Sequence, residues 1–298
     1  MIVPRRQYTV FLPSGAALVL GQRTLVMGVI NVTPDSFTDG GLNLDPEHSL
    51  STAIAFEEAG VDLLDVGGES TRPGASPLSA TDECERVLPV IERIVDRVKV
   101  PVSIDTYKAE VARLAIERGA SIVNDISSLR SGPEIAEIAA ASGAPIVLMH
   151  SRGSSREMYE KACYSDIVTE VTAELGSAIK TAVDAGVSRN QIIVDPGFGF
   201  AKRSDQTLRM LAHLPSLGCL DRPILVGPSR KSFLSVGLGE RLPLEREWGT
   251  AAAVSAAVML GAHIVRVHAV EQHLDVVRVI DSIRTHETVG ALEKNVDR

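Results

Sequence analysis

The chain has 298 residues, enough for one α/β barrel or two smaller domains, and its formal net charge of −8 argues against a nucleic-acid surface. With 45% hydrophobic but only 4% aromatic residues, its core must be built mainly from Val, Ile, Leu and Ala. Cys84, Cys163 and Cys219 are too far apart for a disulfide framework or a metal-ligand spacing, which points to a reducing cytoplasm.

Arg5 and Arg6 are followed by only a few mixed residues before Pro13, so no secretory signal is expected. Residues 8–20 read as a small hairpin turning at Pro13-Ser14-Gly15. Beyond it, strand-like and helix-like segments alternate. The predicted strands are Leu25–Ile30, Asp62–Val66, Val102–Ile104, Ser121–Val123, Pro145–Met149, Gln191–Val194, Pro223–Val226 and His263–Val267. The predicted helices are Pro46–Ala59, Asp82–Arg97, Ala109–Arg118, Pro133–Ser142, Asp166–Ala185, Ser204–Leu214, Leu244–Leu260 and Val270–Ile283. Asp45-Pro46-Glu47 supplies an N-cap, a first-turn proline and an early acid. Gly60, Gly119, Gly143 and Gly186 each follow a helical run, where a left-handed residue ends a helix. The longest apolar stretch, Ala251–Ala262, is alanine-rich and shorter than the roughly 20 residues of a membrane span, so it reads as a buried helix.

Eight nearly continuous apolar strands alternating with helices predict a single (β/α)8 TIM barrel; a doubly wound open sheet is the alternative, and the count of eight favours the barrel. The expected organisation is an N-terminal hairpin over residues 1–24 packed on the barrel, the barrel over 25–284, and a polar, fraying tail over 285–298.

In such a barrel the functional groups stand where the strands stop. Those places read Asn31 to Gly41, Gly67 to Gly74, Asp105 to Lys108, Asn124-Asp125, Met149 to Gly153, Asp195 to Phe200, Gly227 to Ser232 and Arg266 to His268. Asp105, Asn124 and Asp195 supply acceptors and one amide, which suits a flat heterocycle with amino and ring N–H donors; any one of them alone would serve equally as a helix or turn cap. Asn31, Thr71, Arg72, Arg266 and His268 form a donor-rich set suited to phosphate or pyrophosphate. Asp35 and Asn31 are candidate ligands for a Mg2+ held mainly by phosphate oxygens; an ordinary loop salt bridge between Asp35 and Arg72 is the less favoured alternative. Gly227-Pro-Ser-Arg-Lys-Ser232, with Ser229 and Lys231, is suited to another anion. No Ser-His-Asp arrangement, cysteine nucleophile, HExxH or Walker-type stretch is present, so the chemistry expected is a direct displacement in which the protein positions groups and stabilises a leaving anion.

Asn31-Val-Thr-Pro-Asp-Ser-Phe37, Asp65-Val-Gly-Gly-Glu-Ser-Thr-Arg-Pro-Gly74, Asp195-Pro-Gly-Phe-Gly-Phe200, Ser229-Arg-Lys231 and Arg266-Val-His268 together resemble the dihydropteroate synthase family, in order, from about Leu25 to Ile283. The resemblance implies a (β/α)8 barrel joining 6-hydroxymethyl-7,8-dihydropterin diphosphate to 4-aminobenzoate, with Mg2+, by an SN1-like loss of pyrophosphate. It implies that Asp105, Asn124, Asp195 and Lys231 hold the pterin, that Met149 and Phe200 line its slot, and that Arg266 packs over the ring. Asn31, Thr71, Arg72 and His268 would hold the diphosphate, Ser229 the aminobenzoate carboxylate, and Phe37 and Pro73 would complete the aminobenzoate pocket. Relatives are commonly homodimers packed through the last barrel helices, and some bind sulfonamides. Ser151 and Pro228 depart from the family pattern, where Met is common at both places. The rival readings are a pterin-binding methyltransferase of the same barrel type and a non-catalytic pterin-binding protein.

Overall fold

The computed structural model describes residues 2–33, 46–71 and 74–296. The expected hairpin forms from β1 (Tyr8–Phe11) and β2 (Ala17–Leu20), antiparallel about a turn in which Gly15 has φ +83°. Eight parallel strands follow: β3 (Leu25–Asn31), β4 (Leu63–Gly67), β5 (Val102–Asp105), β6 (Ile122–Asp125), β7 (Ile146–Met149), β8 (Ile192–Asp195), β9 (Leu225–Val226) and β10 (Ile264–Val267). They lie in the order β8-β7-β6-β5-β4-β3-β10-β9. A parallel bridge from Val194 to Ile224 joins the two edges and closes the barrel. The open-sheet alternative is thereby excluded.

Around it stand α1 (Pro46–Ala59), α2 (Ala80–Val95), α3 (Ala109–Glu117), α4 (Glu134–Ser142), α5 (Ile167–Asp184), α6 (Ser204–Ala212), α7 (Ser235–Leu238), α8 (Glu247–Met259) and α9 (Val270–Val296). Four elements differ from expectation. Helix α2 begins earlier than Asp82 because Ser79 caps it, accepting from Asp82 N at 3.1 Å. The first turn expected for α8 is instead a 3-10 turn, Pro243–Arg246, and a 3-10 turn at Ser232–Leu234 leads into the unpredicted short α7. Helix α9 runs past the expected end at Ile283 and the expected boundary at 284, because the Ala-Leu-Glu-Lys stretch from Ala291 keeps helix propensity.

The period of two along each strand divides the buried side chains into two systems. Val26, Ile30, Leu64, Val66, Ile104 and Val123 face outward and pack with Val87, Ile91, Val111 and Ala115 of the helices. Leu25, Met27, Leu63, Ile122, Val147, Ile193, Leu225 and Ile264 face the barrel interior and pack with Val10, Leu12, Leu18 and Leu20 of the hairpin. The hairpin is thus the plug of the barrel at the N-terminal ends of its strands. Among the described residues no helix is long and apolar enough to cross a membrane.

Candidate functional site

Two residues beyond the inward apolar layer, the same parity delivers Asp65 and Gly67, Asp105, Asn124, Met149, Asp195, Gly227 and Arg266 to the interior at the C-terminal end. Asn31, Asp105 and Asp195 are the last residues of their strands, where the backbone ladder still holds them. Asn31, Gly67, Asp105 and Asn124 stand side by side in register across β3 to β6. Gly67 leaves the space that Asp105 occupies, since a Cβ there would lie 3.3 Å from Asp105 Cβ.

These residues open onto a cavity of about 540 Å³, lined by Asn31, Thr71, Asp105, Asn124, Met149, Asp195, Phe200, Gly227, Ser229, Lys231, Arg266 and His268. The structure therefore brings together twelve of the residues nominated from the sequence. The other four, Asp35, Phe37, Arg72 and Pro73, lie outside the described residues. A neighbouring cavity of about 380 Å³ shares Glu69, Thr71, Ile126, Met158 and Phe200 with the first.

The floor is a charged layer. Arg266 Nε donates to Asp65 Oδ2 at 2.6 Å and Arg266 Nη2 to Asp105 Oδ2 at 2.8 Å. Asn124 Nδ2 donates to the same Asp65 Oδ2 at 2.9 Å. Burial pushes the Asp105 carboxyl up to about 7, with Arg266 opposing and Asp65 and Glu83 adding to the rise. Burial also raises Asp195, against the pull of Lys231 and of Gly197 N, which donates to Asp195 Oδ1 at 2.7 Å. So Asp195 caps its own turn, as the simpler reading had it, and lines the cavity as well. Gly197 in that turn has φ +65°, and a Cβ on it would meet His150 O at 2.0 Å, so only glycine fits. Lys231 Nζ stands 4.5 Å from the centre of the Phe200 ring, and burial lowers its ammonium to about 8 although Asp195 pulls the other way. At the far wall Ser229 Oγ is 2.9 Å from His268 Nδ1 and accepts from His268 N at 3.3 Å, which ties the ends of β9 and β10 together.

Sequence reasoning left out three groups. Asp65 opens a family-like motif without an assigned role there; the signal that marks it is a lone carboxylate at an inward position of an otherwise apolar strand. Lys202, almost fully buried, donates to Gly197 O at 3.1 Å and Phe200 O at 3.0 Å and lies 2.8 Å from His150 Nδ1. It staples the Phe200 loop to the end of β7. Burial, with Lys202 beside it, lowers His150 to about 4, so the ring is neutral, and its Nε2 is left as the donor to Glu174 Oε2 at 3.0 Å. Nothing in the sequence set Lys202 apart from a solvated loop lysine. Finally, Lys108 Nζ bridges Glu69 and the buried Glu83, and Tyr107 donates to Glu69 Oε1 at 2.9 Å, fixing the base of the second loop.

A family profile described as "Pterin binding enzyme" matches residues 27–268. Dihydropteroate synthase of Synechocystis sp. is 45% identical over 277 residues, spanning 91% of this chain and 94% of that protein. Among solved structures, dihydropteroate synthase of Xanthomonas albilineans with 4-aminobenzoic acid superposes with a TM-score of 0.85 at 39% identity, covering 94% of this chain and 99% of that one. The Yersinia pestis dihydropteroate synthase in complex with a sulfonamide drug superposes with a TM-score of 0.87 at 38% identity, covering 96% and 100%.

Proposed function

The chain belongs to the dihydropteroate synthase family of pterin-binding enzymes, and from that premise we propose how its cavity joins 6-hydroxymethyl-7,8-dihydropterin diphosphate to 4-aminobenzoate. The observation that carries the reading is the meeting, on one cavity, of Asp105, Asn124, Asp195 and Lys231 with Asn31, Thr71, Arg266 and His268. The first four present acceptors and a cation to the amino, ring N–H and carbonyl groups of a pterin. The others present donors to a diphosphate at the same mouth. Met149 and Phe200 supply apolar walls for the bicycle.

In the reaction the bond between the pterin methylene carbon and the bridging diphosphate oxygen breaks, and its electron pair leaves with pyrophosphate. The pterin ring delocalises the resulting positive charge. The carboxylates of Asp105, partly buried, and Asp195, buried, are fixed before that charge develops, so they stabilise it without reorganising. The aminobenzoate nitrogen then forms the new C–N bond and loses a proton, giving 7,8-dihydropteroate. Ser229 is proposed for the aminobenzoate carboxylate, with Phe37 and Pro73 for the rest of that pocket.

Magnesium fits this donor set modestly: Asn31 offers one neutral oxygen at the cavity edge, and among the described residues no cluster of three or more His, Cys, Asp or Glu could hold a metal. Asn31 and Asp35 would hold Mg2+ beside a diphosphate that supplies most of its ligands. When bound, the ion would neutralise charge on the leaving group. Arg72 is proposed for the diphosphate. The three unpaired cysteines agree with a cytoplasmic setting. A homodimer through α8 is supported by Trp248 of that helix, 86% exposed, and by the exposed Val236, Leu242 and Leu244 in the segment before it; light scattering should give about twice the chain's 31.8 kDa.

A pyrophosphate-release assay with both substrates tests the reaction. Release that requires aminobenzoate is expected. Pterin binding without release would favour the non-catalytic reading, and methyl transfer without any diphosphate requirement would favour the methyltransferase.

A further inference from the structure

Asp65 is the one fully buried carboxylate of β4, and it does not line the cavity. A single oxygen, Oδ2, accepts from Arg266 Nε at 2.6 Å and from Asn124 Nδ2 at 2.9 Å, while Oδ1 is buried and has no hydrogen-bond partner among the described residues. An ionised carboxylate only accepts, so the Asn124 group facing it must be the NH2. The amide plane is then settled, and Asn124 turns its carbonyl oxygen away from Asp65. Arg266 is likewise held on two edges by carboxylates from neighbouring strands, Asp65 of β4 and Asp105 of β5. Without Asp65 the Asn124 amide could present either edge, and Arg266 would keep Asp105 alone as its anchor.

We propose that Asp65 is a positioning residue for pterin recognition: from behind the cavity it selects the acceptor edge of Asn124 for the ligand and fixes the Arg266 guanidinium. This rests on the reading of the cavity as the pterin site. Asp65 touches no substrate in this arrangement. Its effect passes through two neighbours that do.

The test is Asp65→Asn, nearly isosteric, assayed in steady state with both substrates and by calorimetric titration with 6-hydroxymethylpterin. The expected result is a KM for the pterin diphosphate raised tenfold or more, a KM for 4-aminobenzoate within twofold of the parent, and a smaller fall in kcat. A merely structural role would lower the active fraction and leave both KM values alone, which would overturn the proposal. A double-mutant cycle adds a second readout: with Asn124→Ala already present, Asp65→Asn should cost less in pterin affinity than it does alone. Losses that simply multiply would count against action through Asn124. A third readout is the acid limb of kcat/KM. Asp105 is faced by Arg266 from β10, Asp65 from β4, Glu83 from α2 and Lys231 from the loop after β9, so removing the Asp65 charge should move that limb to lower pH. If Asp65→Asn does not fold, the exchange Asp65→Asn with Asn124→Asp keeps one carboxylate and one amide at the two positions. It should bind the pterin better than Asn124→Ala does, and binding no better would overturn the idea. Asp105→Asn serves as the reference: if it leaves pterin affinity unchanged, the cavity reading fails, whereas weak binding there with intact binding in Asp65→Asn removes only the present inference.

Discussion

The lower and upper layers of the barrel interior occupy the same strands two residues apart, and they could hardly differ more in chemistry. Leu63 gives way to Asp65, Ile122 to Asn124, Val147 to Met149, Ile193 to Asp195, Leu225 to Gly227 and Ile264 to Arg266. The lower layer is apolar except for the buried Ser103 of β5, and it is closed beneath by Val10, Leu12, Leu18 and Leu20 of the hairpin. The upper layer borders the cavity, with Asp105 and Arg266 partly exposed, and it carries charges whose desolvation is only partly offset by Arg266, Lys231 and backbone donors. A core that only had to be stable would continue the apolar pattern, since buried charges cost more than they return. The upper layer runs against the stability of the fold, which agrees with the binding role proposed for it.

Substitutions in the two layers should therefore separate stability from binding. The largest effect is expected at the bottom. Leu20→Ala, at a fully buried plug position, should cost about 2–5 kcal/mol of folding stability. Chemical denaturation would measure it, and the KM for the pterin substrate, taken well below the melting temperature, should not change. A raised KM would mean that the two layers are coupled through the strands.

Next in size comes the reverse experiment. Asp195→Asn should weaken pterin binding by about 1–3 kcal/mol, roughly five- to 150-fold, because a donor then faces an N–H. Its melting temperature should stay level or rise, since burial already disfavours the charged form of Asp195. Calorimetry and thermal melts on one preparation give both numbers, and a fall in both would show that Asp195 is structural first.

The pH dependence sharpens the contrast further. Asp105 takes its proton at about pH 7 in the fold but near the ordinary 4 when unfolded, so the folded chain binds the proton more tightly. The stability linked to this group is complete below about pH 4 and is lost as pH rises towards 7. Activity should run the other way, because the ionised carboxylate is the acceptor in the proposed reaction, and kcat/KM should fall on the acid side of about 7. Asp105→Asn should flatten this part of the stability profile and abolish that acid limb. An unchanged limb would assign it to another group.

The smallest effect expected is at Phe200→Leu. Losing the ring under Lys231 Nζ should cost about 0.5–1 kcal/mol in pterin binding, a twofold to fivefold rise in KM, with little change in stability. A tenfold loss would mean that the ring contacts the ligand far more extensively than as a wall.

Much of this was legible in the residues themselves. Alternating apolar strands and helices, punctuated by Gly60, Gly119, Gly143 and Gly186, led to eight strands and a barrel, and all four glycines stand at positive φ after a helix. Polar residues gathering where strands stop led to one mouth, because the period of two and the strand direction are local properties that the chain carries wherever it folds. Legible from composition alone was the kind of group at each strand end, but not what that group faces.

That second question belongs to the tertiary structure. Asp65, Asp105 and Asp195 read alike along the chain, yet one is turned to Arg266 and Asn124 behind the cavity, one is shared between Arg266 and the cavity, and one caps its turn while lining it. Lys202 and Lys231 both follow glycine-rich turns, and one is spent on backbone carbonyls while the other stands over Phe200 beside the ligand space. The helix after Ile283 and the hairpin's place as a plug were settled in the same way. Partners brought together across 161 and 201 residues, as Arg266 is with Asp105 and Asp65, leave no trace in local spacing, because the barrel's closure creates their proximity and no segment contains it.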